Sequence, residues 1–220
     1  MFVKVNGINM HYEVFGEGKP IILIHGNGED YKIFDKLIEK LEPKFKVYAI
    51  DSRCHGESED TPEISYSLMT DDVIAFIKAF NIEKPILYGF SDGGIVGLMV
   101  AIKRPKILSK LIISGAQLNP QGAKTYSVIL DEMTYLFTKN KLVKLMLKEP
   151  DIKIEELKKI TIPVHVLAGE KDMIKKKHTQ LIAENIPNST LYIVPGEDHG
   201  SYIIHNDKIY DIIKEYIKKE

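Results

Sequence analysis

Cysteine, net charge and long apolar runs are all scarce in this chain of 220 residues. The single cysteine, Cys54, excludes an internal disulfide and is typical of a reducing compartment. The formal net charge of −1 gives no electrostatic basis for binding nucleic acid. No apolar run approaches the roughly 20 residues of a membrane span, and the first residues alternate like a strand rather than forming a signal peptide. We therefore expect a cytoplasmic protein with neither a nucleic-acid nor a membrane partner.

Short apolar runs alternate with amphipathic segments along most of the chain. Two alternating runs around Gly7 predict a hairpin, and continuous runs such as "PIILIHG" predict strands that are buried on both faces. Apolar residues three and four apart predict helices, one of which has its stripe from Met69 to Phe80 and Ser67 as its N-cap. Strands that alternate with helices of this length predict an α/β fold with a mainly parallel, doubly wound sheet.

The stretch from 116 to 160 carries no predicted strand. Its two apolar stripes at helical spacing are Ile129, Met133 and Leu136, then Leu142, Leu145 and Met146. We expect a short helical lid, inserted into a core that residues 1–115 and 161–220 form. Packing within the protein is the commoner fate of such stripes, but they also supply candidate substrate contacts. Those candidates are Tyr135, Leu136, Phe137, Leu142 and Met146.

The polar motifs of the chain follow directly after predicted strands. In open parallel sheets ligands bind beyond the carboxyl ends of the strands, so these motifs are expected to converge on one edge. The motifs are "HGNG" (25–28), "DSRCHGES" (51–58), "GFSDGG" (89–94), "GEKD" (169–172) and "EDHGS" (197–201).

Ser91 is the candidate nucleophile because it lies in a Gly-x-Ser-x-Gly pattern between a predicted strand and a predicted helix. Gly89 and Gly93 permit the tight turn that exposes the hydroxyl, and a serine hydroxyl needs an adjacent base. The alternative is a structural serine in a glycine turn.

His199 is the candidate base, since it follows the last predicted strand. The third member must orient the imidazole, and Asp172 follows the penultimate strand as that role requires. Glu170 is the rival, and Asp198 is too close to His199 in sequence to hold its ring. The order Ser, Asp, His is that of the hydrolase nucleophile elbow.

An oxyanion hole needs two amide donors directed at the developing charge. The backbone N–H groups of Asp92 and of Asn27 are the candidates, and the alternative for Asn27 is a simple turn residue.

These five motifs, in this order, resemble the α/β-hydrolase superfamily of the serine-esterase type across nearly the whole chain. The resemblance implies that Asp51, Arg53 and His55 are scaffold residues and that Cys54 occupies a position where the family has glycine. The "SDGG" form resembles the branch that contains valacyclovir-hydrolase-like and related small-ester esterases. A lid shorter than is usual in the family implies an open, less selective pocket.

Asp92 departs from the uncharged residue that many relatives have after the nucleophile. We hypothesise that its carboxylate points to the cleft and favours substrates that bear an amine. The alternative is an acid at the helix N-terminus that stabilises the helix dipole.

The resulting prediction is a serine hydrolase that cleaves a small carboxylic ester without cofactor or metal, as a monomer or homodimer. The same triad serves lactone or carbon–carbon bond cleavage and cofactor-free perhydrolysis, so these remain alternatives. A slow-turnover ligand receptor on the same fold is an alternative from another class. A metal hydrolase is disfavoured because no His-x-His or His-Glu-x-x-His spacing occurs.

Overall fold

One sheet forms the centre of the molecule. The computed structural model describes residues 1–218, and within that range eight strands are joined in a single sheet. The strands are β1 (Phe2–Val5), β2 (Ile8–Phe15), β3 (Lys19–Ile24), β4 (Phe45–Ile50), β5 (Ile86–Phe90), β6 (Lys110–Ser114), β7 (Val164–Gly169) and β8 (Ser189–Val194).

The strand order is β1-β2-β4-β3-β5-β6-β7-β8. β1 and β2 form the predicted hairpin, with Phe2 opposite His11, and β2 runs antiparallel to β4. All the remaining pairs, from β4 through β3 to β8, are parallel. The carboxyl ends of six strands therefore lie at one edge, which is where the motifs follow.

Helices connect the strands and cover both faces of the sheet. They are α1 (Asp35–Leu41), α2 (Tyr66–Ala79), α3 (Asp92–Lys103), α4 (Thr125–Thr138), α5 (Lys141–Lys148), α6 (Ile154–Leu157), α7 (Lys176–Asn185) and α8 (Lys208–Lys218). The predicted N-cap of α2 is wrong by two positions. Ser65 has the extended backbone of a cap and accepts a hydrogen bond from the Leu68 amide, whereas Ser67 lies inside the helix.

Alternate side chains of each central strand enter different apolar layers. In β3, Ile21 and Leu23 face a layer that includes α1 and α8, whereas Ile22 and Ile24 face a layer that includes α2, α3 and α7. All four side chains are fully buried, which explains why this strand reads as a continuous apolar run. The predicted α/β fold with a mainly parallel, doubly wound sheet is confirmed.

The segment 116–160, called here the helical segment, contains α4, α5 and α6 and has no strand within these described residues. Its second apolar stripe packs inward, and Leu145 is 4% exposed. The first stripe faces solvent: Ile129, Met133 and Leu136 are each at least half exposed. None of the helices in the described part of the chain has the length and apolar character that crossing a bilayer requires.

Candidate active site

Ser91 occupies a sharp turn between β5 and α3. Its φ of 52° and ψ of −114° lie outside the ordinary regions for an L-residue, so the backbone is strained there. The turn is possible because Gly89 and Gly93 have no side chain. A Cβ at Gly89 would collide with the Gly93 carbonyl, and a Cβ at Gly93 would collide with the Ile24 carbonyl. The hydroxyl is thereby presented beyond the sheet edge.

His199 and Asp172 form a hydrogen-bonded series with Ser91. His199 Nδ1 lies 2.7 Å from Asp172 Oδ1, and its Nε2 lies 3.0 Å from Ser91 Oγ. Asp172 is 2% exposed, and its carboxylate also accepts hydrogen bonds from the Ile174 and Gly169 amides. A carboxylate accepts only, so Nδ1 carries the proton and Nε2 is free to accept from Oγ.

The two rival acids lie elsewhere in the turns. Glu170 accepts a hydrogen bond from the Gly196 amide, and Asp198 accepts from the amides of Gly200 and Ser201. Neither forms a hydrogen bond with His199 in the described residues. The geometry therefore favours Asp172 as the orienting acid.

Gly115, which the motif analysis did not single out, makes room for the imidazole. It follows β6 with a φ of +65°, and a Cβ built there would lie 2.5 Å from His199 Cε1. Its signal in the sequence is a glycine near the end of a predicted strand, in "IISGA".

The "HGNG" loop is held by a neutral histidine. His25 Nδ1 donates to the Gly26 carbonyl at 2.7 Å, and Nε2 accepts from the Ser52 amide at 3.0 Å. Complete burial, followed by the charge of His55, lowers the pKa of His25 from 6.5 to about 4. The loop also contacts the elbow directly, since the Gly93 amide donates to the His25 carbonyl at 3.0 Å.

The backbone amide of Asn27 lies in the "HGNG" loop, and that of Asp92 lies at the first position of α3. Neither amide has an acceptor among the described residues, which leaves both available to an oxyanion. The Asp92 carboxylate is 2% exposed and accepts from Tyr66 OH at 2.6 Å and from Asn27 Nδ2 at 2.9 Å. Both of its oxygens are therefore already engaged by protein donors.

Two cavities adjoin Ser91. The inner one has a volume of about 40 Å³ and is lined by residues that include Asp92, Ile95, Gln117 and Met146. The outer one is open, with a volume of about 710 Å³. Ser91 and His199 line both cavities, so a group bound in either reaches the same hydroxyl.

The helical segment supplies part of each wall, but not through all the expected residues. Met146 lines both cavities, as expected of a substrate contact. Tyr135 and Phe137 line neither, and Phe137 is 80% exposed. The expectation for these two is wrong because the cleft-facing side of α4 carries residues nearer its start. Those residues are Tyr126, Ser127, Leu130 and Asp131.

Carboxyl groups dominate the electrostatics of the cleft. Burial raises the pKa of Glu29, of Asp92 and of Asp131, and the charge of Asp92 raises the pKa of Asp131 further. These three groups line the cavities around Ser91. Asp198 and one cation, Lys171, also line the outer cavity, so carboxyl groups outnumber cationic side chains there.

Several side chains of the "DSRCHGES" turn make structural contacts. Arg53 makes a buried, two-pronged ion pair with Asp72 at 2.6 and 2.7 Å. Asp51 accepts from the amides of Tyr31 and Glu57. Cys54 adopts a φ of 63°, a conformation that glycine adopts without strain. In the described residues, no three His, Cys, Asp or Glu side chains are arranged to hold a metal ion.

Comparison with known proteins identifies the family. The model of the alpha/beta hydrolase fold family matches residues 19–149, and the chain belongs to that family. It is 25% identical to human serine hydrolase BPHL over 98% of this chain and 85% of BPHL. The prediction of an α/β hydrolase is confirmed.

Solved structures show the same fold. An esterase of Thermogutta terrifontis superposes with a TM-score of 0.81 and 22% identity, covering 99% of this chain and 98% of that one. The enol-lactonase of Burkholderia xenovorans LB400 superposes with a TM-score of 0.83 and 17% identity over the whole of both chains.

Replacing Gly115 with alanine is expected to lower kcat by about a hundredfold or more, because the new Cβ displaces the imidazole from Ser91. Gly7→Ala is the matched control, since Gly7 also has a positive φ (+84°) but nothing lies within 4 Å of a Cβ there. Each variant should lose about 1–2 kcal/mol of stability, and only Gly115→Ala should lose turnover. Equal kinetics in the two variants would contradict this role for Gly115.

The depressed pKa of His25 predicts an acid-dependent loss of stability. His25 binds a proton near pH 6.5 in the unfolded chain but only near pH 4 in the folded protein. The stability of the folded protein is therefore unaffected by this group above pH 6.5 and declines as the pH falls toward 4. The decline should reach roughly 2–3 kcal/mol, measured as the free energy of unfolding in urea at several pH values.

His25→Gln should be less stable than the wild type at pH 7 but should show a shallower decline toward pH 4. Gly7→Ala, which removes no titratable group, provides the control and should keep the wild-type slope near pH 4–6. Parallel curves for the wild type and His25→Gln would rule out the buried neutral imidazole as the cause.

Proposed function

We propose that this protein is a serine hydrolase that cleaves small carboxylic esters through Ser91, His199 and Asp172. The observation that carries the proposal is the hydrogen-bonded series from Asp172 to His199 to Ser91, mounted on the strained turn before α3. Human BPHL, a serine hydrolase by name, and the Thermogutta esterase support the same class of reaction.

The first half of the reaction forms an acyl-enzyme. Ser91 Oγ attacks the ester carbonyl while His199 Nε2 takes its proton. Asp172 keeps Nδ1 protonated and stabilises the imidazolium that forms. The amides of Asn27 and Asp92 donate to the oxyanion, and each such donor is worth roughly 3–4 kcal/mol of barrier. His199 then protonates the leaving alcohol.

Water completes the cycle. His199 Nε2 accepts a proton from the water as it attacks the acyl carbonyl, and Ser91 Oγ leaves with that proton. Every step uses side chains that are already within hydrogen-bond distance, so the chemistry needs no large rearrangement.

We further propose that the helical segment acts as a lid and that the inner cavity accepts the acyl group. Its volume of about 40 Å³ holds only a small group, whereas the open outer cavity tolerates a varied alcohol. The carboxyl groups around Ser91 favour neutral or cationic esters. A preference for amines through Asp92 stays a prediction.

The proposed nucleophile is tested by intact mass after treatment with a fluorophosphonate. The wild type should gain one adduct, because Ser91 is activated by His199, and Ser91→Ala and His199→Ala should gain none. Ser91→Ala should also lose turnover of p-nitrophenyl acetate by at least about a thousandfold. An unlabelled, folded wild type would favour the ligand-receptor alternative instead.

Acyl-chain length tests the inner cavity. Catalytic efficiency should fall by about tenfold or more from p-nitrophenyl acetate to the octanoate, since each extra methylene overfills the cavity. Met146→Ala should raise the butyrate-to-acetate ratio by about fivefold or more, because Met146 lines that cavity. Met133→Ala is the control, since Met133 is 53% exposed and should leave the ratio unchanged. Octanoate turned over as well as acetate would exclude the small acyl site.

A further inference from the structure

The two residues whose backbone amides face the proposed oxyanion are also joined through their side chains. Asn27 Nδ2 donates to Asp92 Oδ2 at 2.9 Å, across a separation of 65 residues in sequence. Asn27 belongs to the loop after β3, and Asp92 begins α3. The side-chain bond therefore spans the same gap that the two amides must span.

Asp92 is held in place from behind. Its second oxygen accepts from Tyr66 OH at 2.6 Å, and Tyr66 in α2 is fully buried. A buried carboxylate is costly unless it is hydrogen-bonded, so these two donors restrict where the carboxylate sits. Asp92 therefore has a fixed position, and Asn27 forms its hydrogen bond to it there.

Asn27 has a second partner in the helical segment. Its Nδ2 lies 3.2 Å from the Leu142 carbonyl in α5. One carboxamide therefore joins the oxyanion loop, the nucleophile elbow and the helical segment.

We propose that the side chains of Asn27 and Asp92 form a clamp that sets the relative position of the two backbone amides of the oxyanion hole. The proposal rests on the proposed serine hydrolase function. In this clamp Tyr66 anchors Asp92, and Leu142 limits the movement of Asn27. Both side chains are positioning groups, because they act through the backbone amides and not on the substrate.

The clamp makes a different prediction from amine recognition by Asp92. A carboxylate that binds a substrate amine affects only esters with an amine. A carboxylate that positions an amide donor affects every ester by the same factor, because all pass through an oxyanion.

Two single variants act on the same bond. Asn27→Ala keeps the backbone amide and removes the side chain, whereas Asp92→Asn removes the charge and leaves one acceptor oxygen for two donors, Asn27 Nδ2 and Tyr66 OH. Each should lower kcat for p-nitrophenyl acetate by about tenfold to a hundredfold while KM changes less than about threefold. The double variant should be no more than about threefold worse than the poorer single variant, because both changes act on one bond.

A second measurement separates positioning from general damage. A boronic acid forms a tetrahedral adduct on a serine and carries an oxygen in the oxyanion position. Its affinity should fall in each variant by the same factor as kcat/KM. Glycine and acetic acid p-nitrophenyl esters should slow by equal factors in Asp92→Asn.

Asn185→Ala is the matched control. Asn185 Nδ2 donates to the Leu181 carbonyl at 2.9 Å in α7, which is the same type of bond at a distance from the site. This variant should keep wild-type kinetics, and thermal unfolding should show that all variants fold. If Asp92→Asn fails to fold, the half-buried Asn27→Ala decides the question on its own.

The outcomes distinguish the two proposals. A wild type that does not hydrolyse esters, or a Ser91→Ala variant that still does, overturns the proposed function and the clamp with it. An active wild type with Asn27→Ala within about twofold of its kcat overturns the clamp alone. The clamp is also overturned if the effects of the two single variants multiply in the double variant. It is overturned as well if Asp92→Asn slows only the amine-bearing ester.

Discussion

The close approach of α3 to the end of β3 is the contact on which the site depends. The Gly93 amide donates to the His25 carbonyl, and no Cβ fits between Gly93 and the Ile24 carbonyl. This contact brings the strained Ser91 turn against the "HGNG" loop. The N-terminus of α3 then faces the place where negative charge develops, with the Asp92 amide unpaired among the described residues. Moving α3 outward by the width of a methyl group would separate the nucleophile from one of the two amide donors.

Two histidines illustrate how environment assigns different tasks to one residue type. His25 is fully buried and neutral, with both ring nitrogens committed to the backbone, so it serves as a rigid support. The side chain of His199 is 15% exposed, lines the cavities and has one nitrogen committed to Asp172. Its other nitrogen meets Ser91, where a proton can be exchanged. Burial and hydrogen-bond direction, rather than residue type, separate the support from the base.

The second half of the helical segment makes more contacts with the rest of the protein than the first half does. Tyr66 bridges it to the site, because its amide donates to Glu149 at 3.0 Å while its hydroxyl donates to Asp92. The Leu142 carbonyl adds a contact to Asn27. Ser127 is the one side chain of α4 that is buried in this fully described helix. Each helix has one buried side chain, Ser127 in α4 and Leu145 in α5, but a larger share of α5 is half-buried, so α4 is the less tightly packed of the two.

The sequence alone was enough to predict the order of strands and helices, the parallel sheet and the motifs at its edge. Local rules carry that information: the spacing of apolar residues reports burial, and a glycine-flanked serine between strand and helix reports a turn. The position of Gly115 beside His199 could not be read in this way, because their contact joins two strand ends that are remote in sequence. The sequence also did not show which part of α4 faces the cleft. Tyr135 and Phe137 belong to the same helix as the residues that line the cavities, but they lie too far along it to reach them.

What the sequence by itself determined is the fold and the residue types available to the site. Only the tertiary structure decided that Asp172 rather than Glu170 meets His199, because both follow β7 and differ only in which way the turn directs them. It likewise decided that Asp92 binds Tyr66 and Asn27, since hydrogen bonds across 26 and 65 residues leave no local pattern. Distances between groups from different strands arise when the sheet assembles, and no segment of the chain encodes them alone.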